Sequence, residues 1–259
     1  MIRIVVGIVV LYLLAVGYLY FTQEAQIFPR KYAQKEELLQ NEKVKALTLE
    51  VHNALLKGAV KADDDPNAPL ILYFGGNAED ATHFIKTSFT LPGYDVMVFN
   101  YRGYGESSGE PSQEALFEDA LKIYDTYAKG RRVFLIGRSL GTGVATFLAS
   151  KRVVDGLILV TPYDSILSLA ERKFWMFPVS YLLKHPFEST KYIANVTAPI
   201  IVMDAENDEI IPKDSTDALI EAMPVMPQRV SFKNTTHNTI LGHPYFMQEL
   251  QTLLGQISE

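Results

Sequence analysis

Residues 132–143 read Arg-Val-Phe-Leu-Ile-Gly-Arg-Ser-Leu-Gly-Thr-Gly. The first half is a short apolar run typical of a buried strand, and residues 141–150 resume as an apolar stretch suited to a helix. A strand that ends in Gly-x-Ser-x-Gly and leads into a helix is the sequence form of a nucleophile elbow. Glycine on both sides of the serine permits the tight turn. The motif therefore predicts Ser139 as a nucleophile, with a purely structural strand-to-helix turn as the alternative.

Composition limits the function classes that this chain can belong to. Its 259 residues, 48% of them hydrophobic, are enough for one sizeable α/β domain. The net charge is −6, from 24 basic and 30 acidic residues without a basic block, so no nucleic-acid partner is expected. The chain has no cysteine, which excludes disulfides, thiol catalysis and thiolate metal sites.

An apolar run stands at the N-terminus. Ile4 to Phe21 carries no charge over 18 residues, which as a helix would extend about 27 Å, close to the thickness of a hydrocarbon core. Tyr18 and Tyr20 near its end suit a membrane interface. We predict that residues 1–22 are a transmembrane anchor. A signal peptide cleaved near Ala15-Val16-Gly17 and a buried helix are the alternatives, and the flanking charges leave the side of the catalytic domain open.

The remaining chain is predicted to be a polar juxtamembrane connector, residues 23–44 with a short helix near 34–42, followed by a catalytic domain, residues 45–259. Eight strand-like runs follow one another at 47–52, 55–61, 70–74, 95–99, 133–136, 157–160, 200–203 and 230–232. The first two suit a hairpin, and the later ones alternate with segments of helix length. This order predicts an α/β fold with an eight-stranded, mostly parallel sheet flanked by helices.

A nucleophilic serine needs a base, and the base needs an orienting acid. In hydrolases with this elbow the chain order is nucleophile, acid, histidine. His237, in a polar loop after the last strand, is the predicted base. Asp208, in the loop after the seventh strand, is the predicted acid, and Asp204 is the fallback. Asp204, Glu206 and Asp208 alternate like the start of a calcium loop, but its glycine and distal glutamate are missing, so no metal site is predicted.

Acyl transfer also needs donors that stabilise an oxyanion. The backbone N–H of Leu140, directly after the predicted nucleophile, is one candidate. The second is expected from the loop after the third strand, residues 74–79, whose two glycines permit close approach of the backbone. Within this loop Asn77 is best placed to offer its N–H.

Together these motifs resemble the α/β-hydrolase superfamily, and most closely its small membrane-anchored branch of bud-emergence-type and depalmitoylase-like hydrolases. The resemblance covers residue 26 to the C-terminus and is carried by residues 71–78, 100–112, 137–141, 161–165, 204–212 and 237–238. The run Tyr-Arg-Gly-Tyr-Gly at 101–105 is characteristic of that branch. Two positions depart from the pattern, since the branch usually has histidine at Gly75 and glycine at Ala205.

The resemblance implies an α/β-hydrolase fold and cofactor-free hydrolysis of an ester, thioester or amide through an acyl-enzyme on Ser139. We therefore expect a membrane-tethered serine hydrolase, most simply an esterase or thioesterase. A serine aminopeptidase-like peptidase and a non-catalytic hydrolase-fold binding protein are the alternatives; Gly75 is the feature that favours the latter. Residues 174–177 and 181–183 are expected either to form the wall of an acyl pocket or to serve ordinary helix packing.

Overall fold

The computed structural model describes residues 1–30 and 41–258. The helices are α1 (Ile2–Ile27), α2 (His83–Ser88), α3 (Gln113–Tyr127), α4 (Leu140–Ala149), α5 (Ile166–Lys173), α6 (Val179–Leu182), α7 (Ser189–Ile193), α8 (Lys213–Glu221) and α9 (Phe246–Ser258). The strands are β1 (Val44–Val51), β2 (Ala54–Lys61), β3 (Leu70–Phe74), β4 (Asp95–Phe99), β5 (Val133–Arg138), β6 (Gly156–Val160), β7 (Ile200–Ala205) and β8 (Gln228–Phe232).

The strands form one sheet in the order β1-β2-β4-β3-β5-β6-β7-β8. β1 and β2 form an antiparallel hairpin, β2 is antiparallel to β4, and every pairing from β4 to β8 is parallel. Asn53 makes the hairpin turn with a φ of 58°, a conformation that asparagine tolerates better than most residues. The predicted eight-stranded, mostly parallel sheet is confirmed.

Alternating side chains of the central strands supply two hydrophobic cores, one on each face of the sheet. Leu72 and Leu135 belong to the core shared with α3 and α4, whereas Ile71 and Ile136 belong to the core shared with α2 and α9. Each of these four side chains is at least 98% buried. Full burial of such a side chain contributes about 1.5–3 kcal/mol, so the sheet is a rigid base for the loops at its edge.

The parallel strands direct their carboxyl ends toward one edge of the sheet. The loops that follow β3, β5, β7 and β8 therefore meet there, as is usual for sites on such sheets. These are the loops in which the predicted nucleophile, acid, base and oxyanion donors lie. The topology alone thus gathers residues that are up to 160 positions apart in the chain.

The last helix, α9, begins at Phe246, two residues after Pro244. His243 precedes a proline and is extended, with a ψ of 133°, because the proline ring disfavours the helical region for its predecessor. The short helix expected near residues 34–42 lies almost wholly outside the described residues.

α1 runs for 26 residues and continues to Ile27, five residues into the stretch expected to be a connector. Its apolar window is long enough to cross a membrane, and none of that window is buried inside the protein. α1 is therefore not a core helix. Length and composition alone suit both a membrane anchor and a signal sequence.

Candidate active site

Ser139 lies in a strained turn between β5 and α4, with a φ of 48° and a ψ of −119°. Both neighbouring glycines are sterically required. A Cβ on Gly137 would lie 2.5 Å from the carbonyl oxygen of Gly141, and a Cβ on Gly141 would lie 2.1 Å from that of Phe74. Strained backbone of this kind is found where it orients a functional side chain, here the hydroxyl of Ser139.

The structure brings the three predicted residues of the Ser-His-Asp set together. His237 Nε2 lies 2.8 Å from Ser139 Oγ, and His237 Nδ1 lies 2.8 Å from Asp208 Oδ2. The imidazole is 97% buried. Because an ionised carboxylate only accepts hydrogen bonds, a proton on Nδ1 leaves Nε2 free to accept from the serine hydroxyl. The arrangement has the geometry needed to remove the hydroxyl proton.

Local contacts hold the carboxylate in place. Asp208 Oδ1 accepts hydrogen bonds from the backbone N–H groups of Ile210 and Ile211, at 2.9 and 2.8 Å. These bonds fix the tight loop after β7, so the carboxylate is oriented before substrate arrives. Glu209 accepts a bond from the backbone N–H of His237, which ties the acid loop to the histidine loop.

The fallback acid Asp204 has another partner. Its Oδ2 accepts a 2.6 Å bond from Nε of Arg229, on β8. Glu206 accepts from the backbone N–H of Asn234, so the three alternating acids of this loop serve three different partners. Within the described part of the chain, no group of three or more His, Asp or Glu side chains is arranged to hold a metal ion.

The two predicted oxyanion donors, Asn77 and Leu140, face the same cavity as Ser139. Leu140 is the first residue of α4, so its N–H has no partner within the helix and lies at the positive end of the helix dipole. The loop after β3 approaches the serine closely, because a Cβ on Gly76 would lie 3.6 Å from Ser139 Cβ. Backbone from two elements thus lies near the serine.

Two tyrosines of the run at 101–105 hold the loop after β3. The hydroxyl of Tyr101 donates to the carbonyl oxygen of Gly75 at 2.9 Å, and that of Tyr104 donates to the carbonyl oxygen of Asn77 at 2.8 Å. Burial raises the pKa of both phenols, so they remain neutral donors. The Tyr-Arg-Gly-Tyr-Gly run is recognisable in the sequence, but no local pattern indicates which carbonyl oxygens its two hydroxyls bind.

A largely buried ion pair lies beside Gly75 and Gly76. Glu79 Oε2 accepts from Nη1 of Arg138 and from the backbone N–H of Gly76, both at 2.9 Å, and the Glu79 and Arg138 side chains are each only 13% exposed. A Cβ on Gly75 would lie 3.3 Å from Glu79 Cδ. The Glu79 carboxylate therefore braces the loop from the side toward which a side chain at position 75 would project.

Comparison with known proteins identifies the fold family. The family described as alpha/beta hydrolase fold matches residues 69–184. An α/β-hydrolase from Vibrio vulnificus superposes with a TM-score of 0.70 at 18% identity over 91% of each chain. The chain has the α/β-hydrolase fold. A bacterial membrane phospholipase A, described as a virulence factor, superposes on this chain with a TM-score of 0.63 at 18% identity, covering 100% of both chains.

Two proteins with similar sequences match this chain over part of their own length. An uncharacterized protein of Mycobacterium tuberculosis is 30% identical over 180 residues, 66% of this chain and 64% of that protein. The lysophosphatidylserine lipase ABHD12 of Rattus norvegicus is 34% identical over 174 residues, 56% of this chain and 43% of the lipase. The matched region is therefore less than two thirds of either relative's own length.

A cavity of about 810 Å³ opens beside Ser139. Its base contains Asn77, Leu140 and His237, and its other walls come from α5, α6, the turn between them and α1. The apolar lining includes Val16, Leu19, Ile27, Ile166, Leu169, Phe174, Phe177, Val179, Leu182, Leu183 and Ile211. The cavity is thus a mostly apolar site with the serine and histidine at its base, as is usual for small-molecule sites.

The segment expected to form the wall of an acyl pocket does so only in part. Phe174, Phe177, Leu182 and Leu183 line the cavity, whereas Trp175, Met176 and Tyr181 are 78%, 60% and 90% exposed. The expectation was therefore wrong for these three. A turn in which the N–H of Phe177 donates to the carbonyl oxygen of Phe174 directs the two phenylalanines inward and the residues between them outward.

α1 docks along the cap formed by α5 and α6. The ring of Tyr12 stacks on Phe177 with centroids 5.5 Å apart, and its hydroxyl donates to the carbonyl oxygen of Met176. The buried Gln23 side chain donates to the carbonyl oxygen of Leu182 and accepts from the N–H of Lys184. Phe28, just beyond α1, packs against the ring of His185.

Proposed function

We propose that this α/β-hydrolase is a membrane-tethered serine hydrolase that cleaves carboxylic esters of long acyl chains. The observation that carries the proposal is the continuous hydrogen-bonded series Ser139–His237–Asp208, with both contacts to the imidazole at 2.8 Å, at the base of an apolar cavity. A serine, a base and an orienting acid in this geometry form the machinery of acyl transfer.

In the acylation step Ser139 Oγ bonds to the ester carbonyl carbon while its proton passes to His237 Nε2. The carbonyl oxygen takes the negative charge and accepts hydrogen bonds from the N–H groups of Asn77 and Leu140. The tetrahedral intermediate then collapses. Its carbon–oxygen bond to the leaving alcohol breaks, and the alcohol takes the proton from His237.

Deacylation reverses these roles with water as the nucleophile. A water molecule gives a proton to His237 Nε2 as its oxygen bonds to the acyl carbon. Collapse of the second intermediate breaks the ester bond to Ser139, which recovers its proton, and the free acid leaves. Asp208 stabilises the imidazolium in both steps and keeps the ring in the productive tautomer.

The lining of the cavity supports an acyl chain as its ligand. Its lining is dominated by aliphatic and aromatic side chains, which suit a hydrocarbon better than an aminoacyl group. The lipase and phospholipase among the similar proteins act on lipids according to their names, which also favours an acyl ester over a peptide. The intact series from Ser139 to Asp208 argues against a protein that only binds.

The position of α1 supports an anchor that stays attached. Leu19, Tyr20, Gln23 and Ile27 line the cavity, and they belong to the same continuous helix as residues 15–17. Cleavage after Gly17 would cut this helix in its middle and leave a new charged N-terminus beside an apolar wall. We therefore favour a retained membrane anchor over a cleaved signal peptide.

A fluorophosphonate probe tests the nucleophile. We expect the wild type to be labelled covalently, Ser139→Ala to be unlabelled, and Ser150→Ala, at the end of the neighbouring helix, to be labelled like the wild type. p-Nitrophenyl esters of rising chain length, acyl-CoA thioesters and aminoacyl amides then test the substrate class. The proposal is contradicted if the folded wild type reacts with neither probe nor ester, and the ester preference is contradicted if the amides are cleaved best.

A further inference from the structure

One face of α1 follows the catalytic domain for most of the helix. Tyr12, Val16, Tyr20, Gln23 and Ile27 recur at intervals of three or four residues, so they form one face of a helix. Tyr12 contacts the Phe174–Phe177 turn, and the other four line the cavity. From Tyr12 to Ile27 the helix rises about 22 Å, and over this distance it is part of the domain.

Residues 2–11 of α1 extend away from the domain, whereas the apolar window of the helix is 18 residues long. Residues 2–11 rise about 15 Å, half of a hydrocarbon core of about 30 Å. A bilayer that surrounds the apolar window of α1 must therefore also reach the helix beyond residue 11. The Phe174–Phe177 turn lies against α1 at Tyr12. This turn therefore lies in the same hydrocarbon layer as the helix.

The outer surfaces at this level are apolar as well. On α1, the face opposite the domain carries Leu11, Leu14, Tyr18 and Phe21, which are 64–80% exposed. Trp175 and Met176, at the tip of the turn, are 78% and 60% exposed. These six side chains continue the apolar surface of the helix onto the cap. We define them as the apolar rim; surfaces of this kind mark contacts with proteins or membranes.

The rim adjoins the cavity. Phe174 and Phe177 line the inner side of the turn whose outer side carries Trp175 and Met176, and Val16 lines the cavity on the inner face of α1 while Leu14 and Tyr18 face outward. A single layer of side chains thus separates the acyl cavity from the rim. Lys184 lies with its Nζ 5.0 Å from the ring centre of Tyr20, a cation and an aromatic ring of the kind found together at membrane interfaces.

We propose that the bilayer covers the apolar rim, so that Trp175 and Met176 lie among lipid chains and the cavity receives the acyl chain of a membrane amphiphile directly from the leaflet. The substrate part of this proposal rests on the ester hydrolase activity proposed above. The acyl chain of the substrate need not cross water, since α1 and the cap offer it apolar contacts from the lipid to Ser139. α1 is then both the anchor and a wall of the binding site.

Trp175 is the single tryptophan of the chain, so its fluorescence reports on the rim without labelling. The full-length Ser139→Ala protein, reconstituted in phosphatidylcholine vesicles, keeps lipid substrates intact during the measurement. We expect blue-shifted emission, strong quenching by phosphatidylcholine brominated on its acyl chains, and protection from acrylamide. Emission typical of water, quenched by acrylamide and not by brominated lipid, overturns the proposal.

A relocated tryptophan is the matched control. Val225 is 74% exposed and precedes β8, so it lies at the amino edge of the parallel sheet, away from the site. In a Trp175→Phe/Val225→Trp protein, also carrying Ser139→Ala, the fluorophore is expected to be quenched by acrylamide and not by brominated lipid. Lipid quenching at both positions means that the domain has unfolded onto the vesicle or aggregated, and it also contradicts a specific rim.

Activity provides a second measurement. We compare a long-chain lysophospholipid embedded in vesicles with a short-chain p-nitrophenyl ester in solution, for Trp175→Glu/Met176→Glu and for the control Val225→Glu/Met226→Glu. The rim pair is expected to lower the ratio of vesicle to soluble activity at least tenfold, and the control pair to leave it unchanged. Equal ratios contradict delivery through the rim.

The two proposals fail in distinguishable ways. If the wild type hydrolyses neither substrate but Trp175 is quenched by brominated lipid, the ester hydrolase proposal fails and membrane contact at the rim stands. If the wild type hydrolyses esters while Trp175 is exposed to water, the hydrolase stands and the rim proposal fails.

Discussion

The hydroxyl of Tyr104 donates a 2.8 Å hydrogen bond to the carbonyl oxygen of Asn77. Together with the bond from Tyr101 to the carbonyl oxygen of Gly75, it fixes the peptide groups on both sides of the one that joins Gly76 to Asn77. That central peptide carries the N–H proposed to stabilise the oxyanion. Two buried phenols therefore determine its orientation before substrate binds.

We expect Tyr101→Phe and Tyr104→Phe each to lower kcat about tenfold, equivalent to about 1.4 kcal/mol of transition-state stabilisation, with little change in KM. The loss is smaller than the factor of about 10²–10³ for deleting a donor outright, because the N–H remains but is less well oriented. Steady-state kinetics on a soluble ester checks this.

Tyr124→Phe is the matched control for the two tyrosines. The Tyr124 hydroxyl also donates to a carbonyl oxygen, that of Val153, but far from the site. All three variants should lose about 1 kcal/mol of stability, as is typical for one hydrogen bond. An equal loss of kcat in Tyr124→Phe shows that the effect is a general loss of stability and contradicts a role for the tyrosines at the site.

The proposed orienting acid is tested by substituting Asp208, in the loop after β7, and Asp204, near the end of β7. Asp208→Asn is expected to lower kcat by about 10⁴ while the protein remains folded, because the amide favours the wrong imidazole tautomer. Asp204→Asn loses its charge at Arg229 and should change stability, with kcat within about twofold of wild type. Catalysis that depends on Asp204 and not on Asp208 would reverse the assignment.

The buried pair Glu79–Arg138 should matter for both stability and rate. Glu79→Gln leaves the Arg138 guanidinium without its anion, and breaking a buried pair in this way typically costs about 3–5 kcal/mol. We also expect a lower kcat, since the same carboxylate accepts from the N–H of Gly76. Chemical denaturation and ester kinetics on the same preparation measure the two effects.

Two further variants separate the effect of the unpaired charge on stability from the effect of Glu79 on the loop after β3. In Glu79→Gln/Arg138→Met the unpaired charge is gone, so much of the stability should return, while kcat should stay low because the loop remains unbraced. Asp125→Asn breaks the more exposed pair with Arg152 and should cost about 1 kcal/mol or less. A double variant with wild-type kcat contradicts a role for Glu79 in positioning the loop.

We expect the contact between His185 and the end of α1 to weaken in acid. Burial lowers the pKa of its ring, which packs on Phe28 at the end of α1 and accepts a bond from the N–H of Gln113. The neutral form is therefore favoured in the folded protein. Its contribution to stability is fully present above the unfolded pKa of about 6.5 and is lost as the pH falls through the lower folded value.

Thermal denaturation between pH 8 and pH 5 checks this expectation. The wild-type midpoint should fall on the acid side, and His185→Gln should remove part of that pH dependence. Glu24 raises the pKa of the ring and Lys184 lowers it, and both residues are unchanged in this comparison. His52→Gln alters an exposed histidine of the β1–β2 turn and should keep the wild-type profile. Identical profiles for all three proteins contradict the assignment.

Much of the site was predictable because its signals are local. The need for glycine at 137 and 141 follows from the space around a tight turn, and the alternation of strands and helices predicted the sheet that contains it. Asp208 and His237 were identifiable because they follow the last two strands in the order that such hydrolases use.

Other features depend on residues that are distant in sequence. The pairing of Tyr104 with Asn77, of Arg138 with Glu79, and of α1 with the cap follows from the order of strands in the sheet and from the packing of helices on it. No local pattern predicts which distant group a side chain will meet, because strand register and helix packing are determined by the whole core. The sequence by itself determined the tight turn at Ser139 and the order of the proposed catalytic groups. Only the tertiary structure decided what holds the loop after β3 and that the apolar helix forms a wall of the cavity.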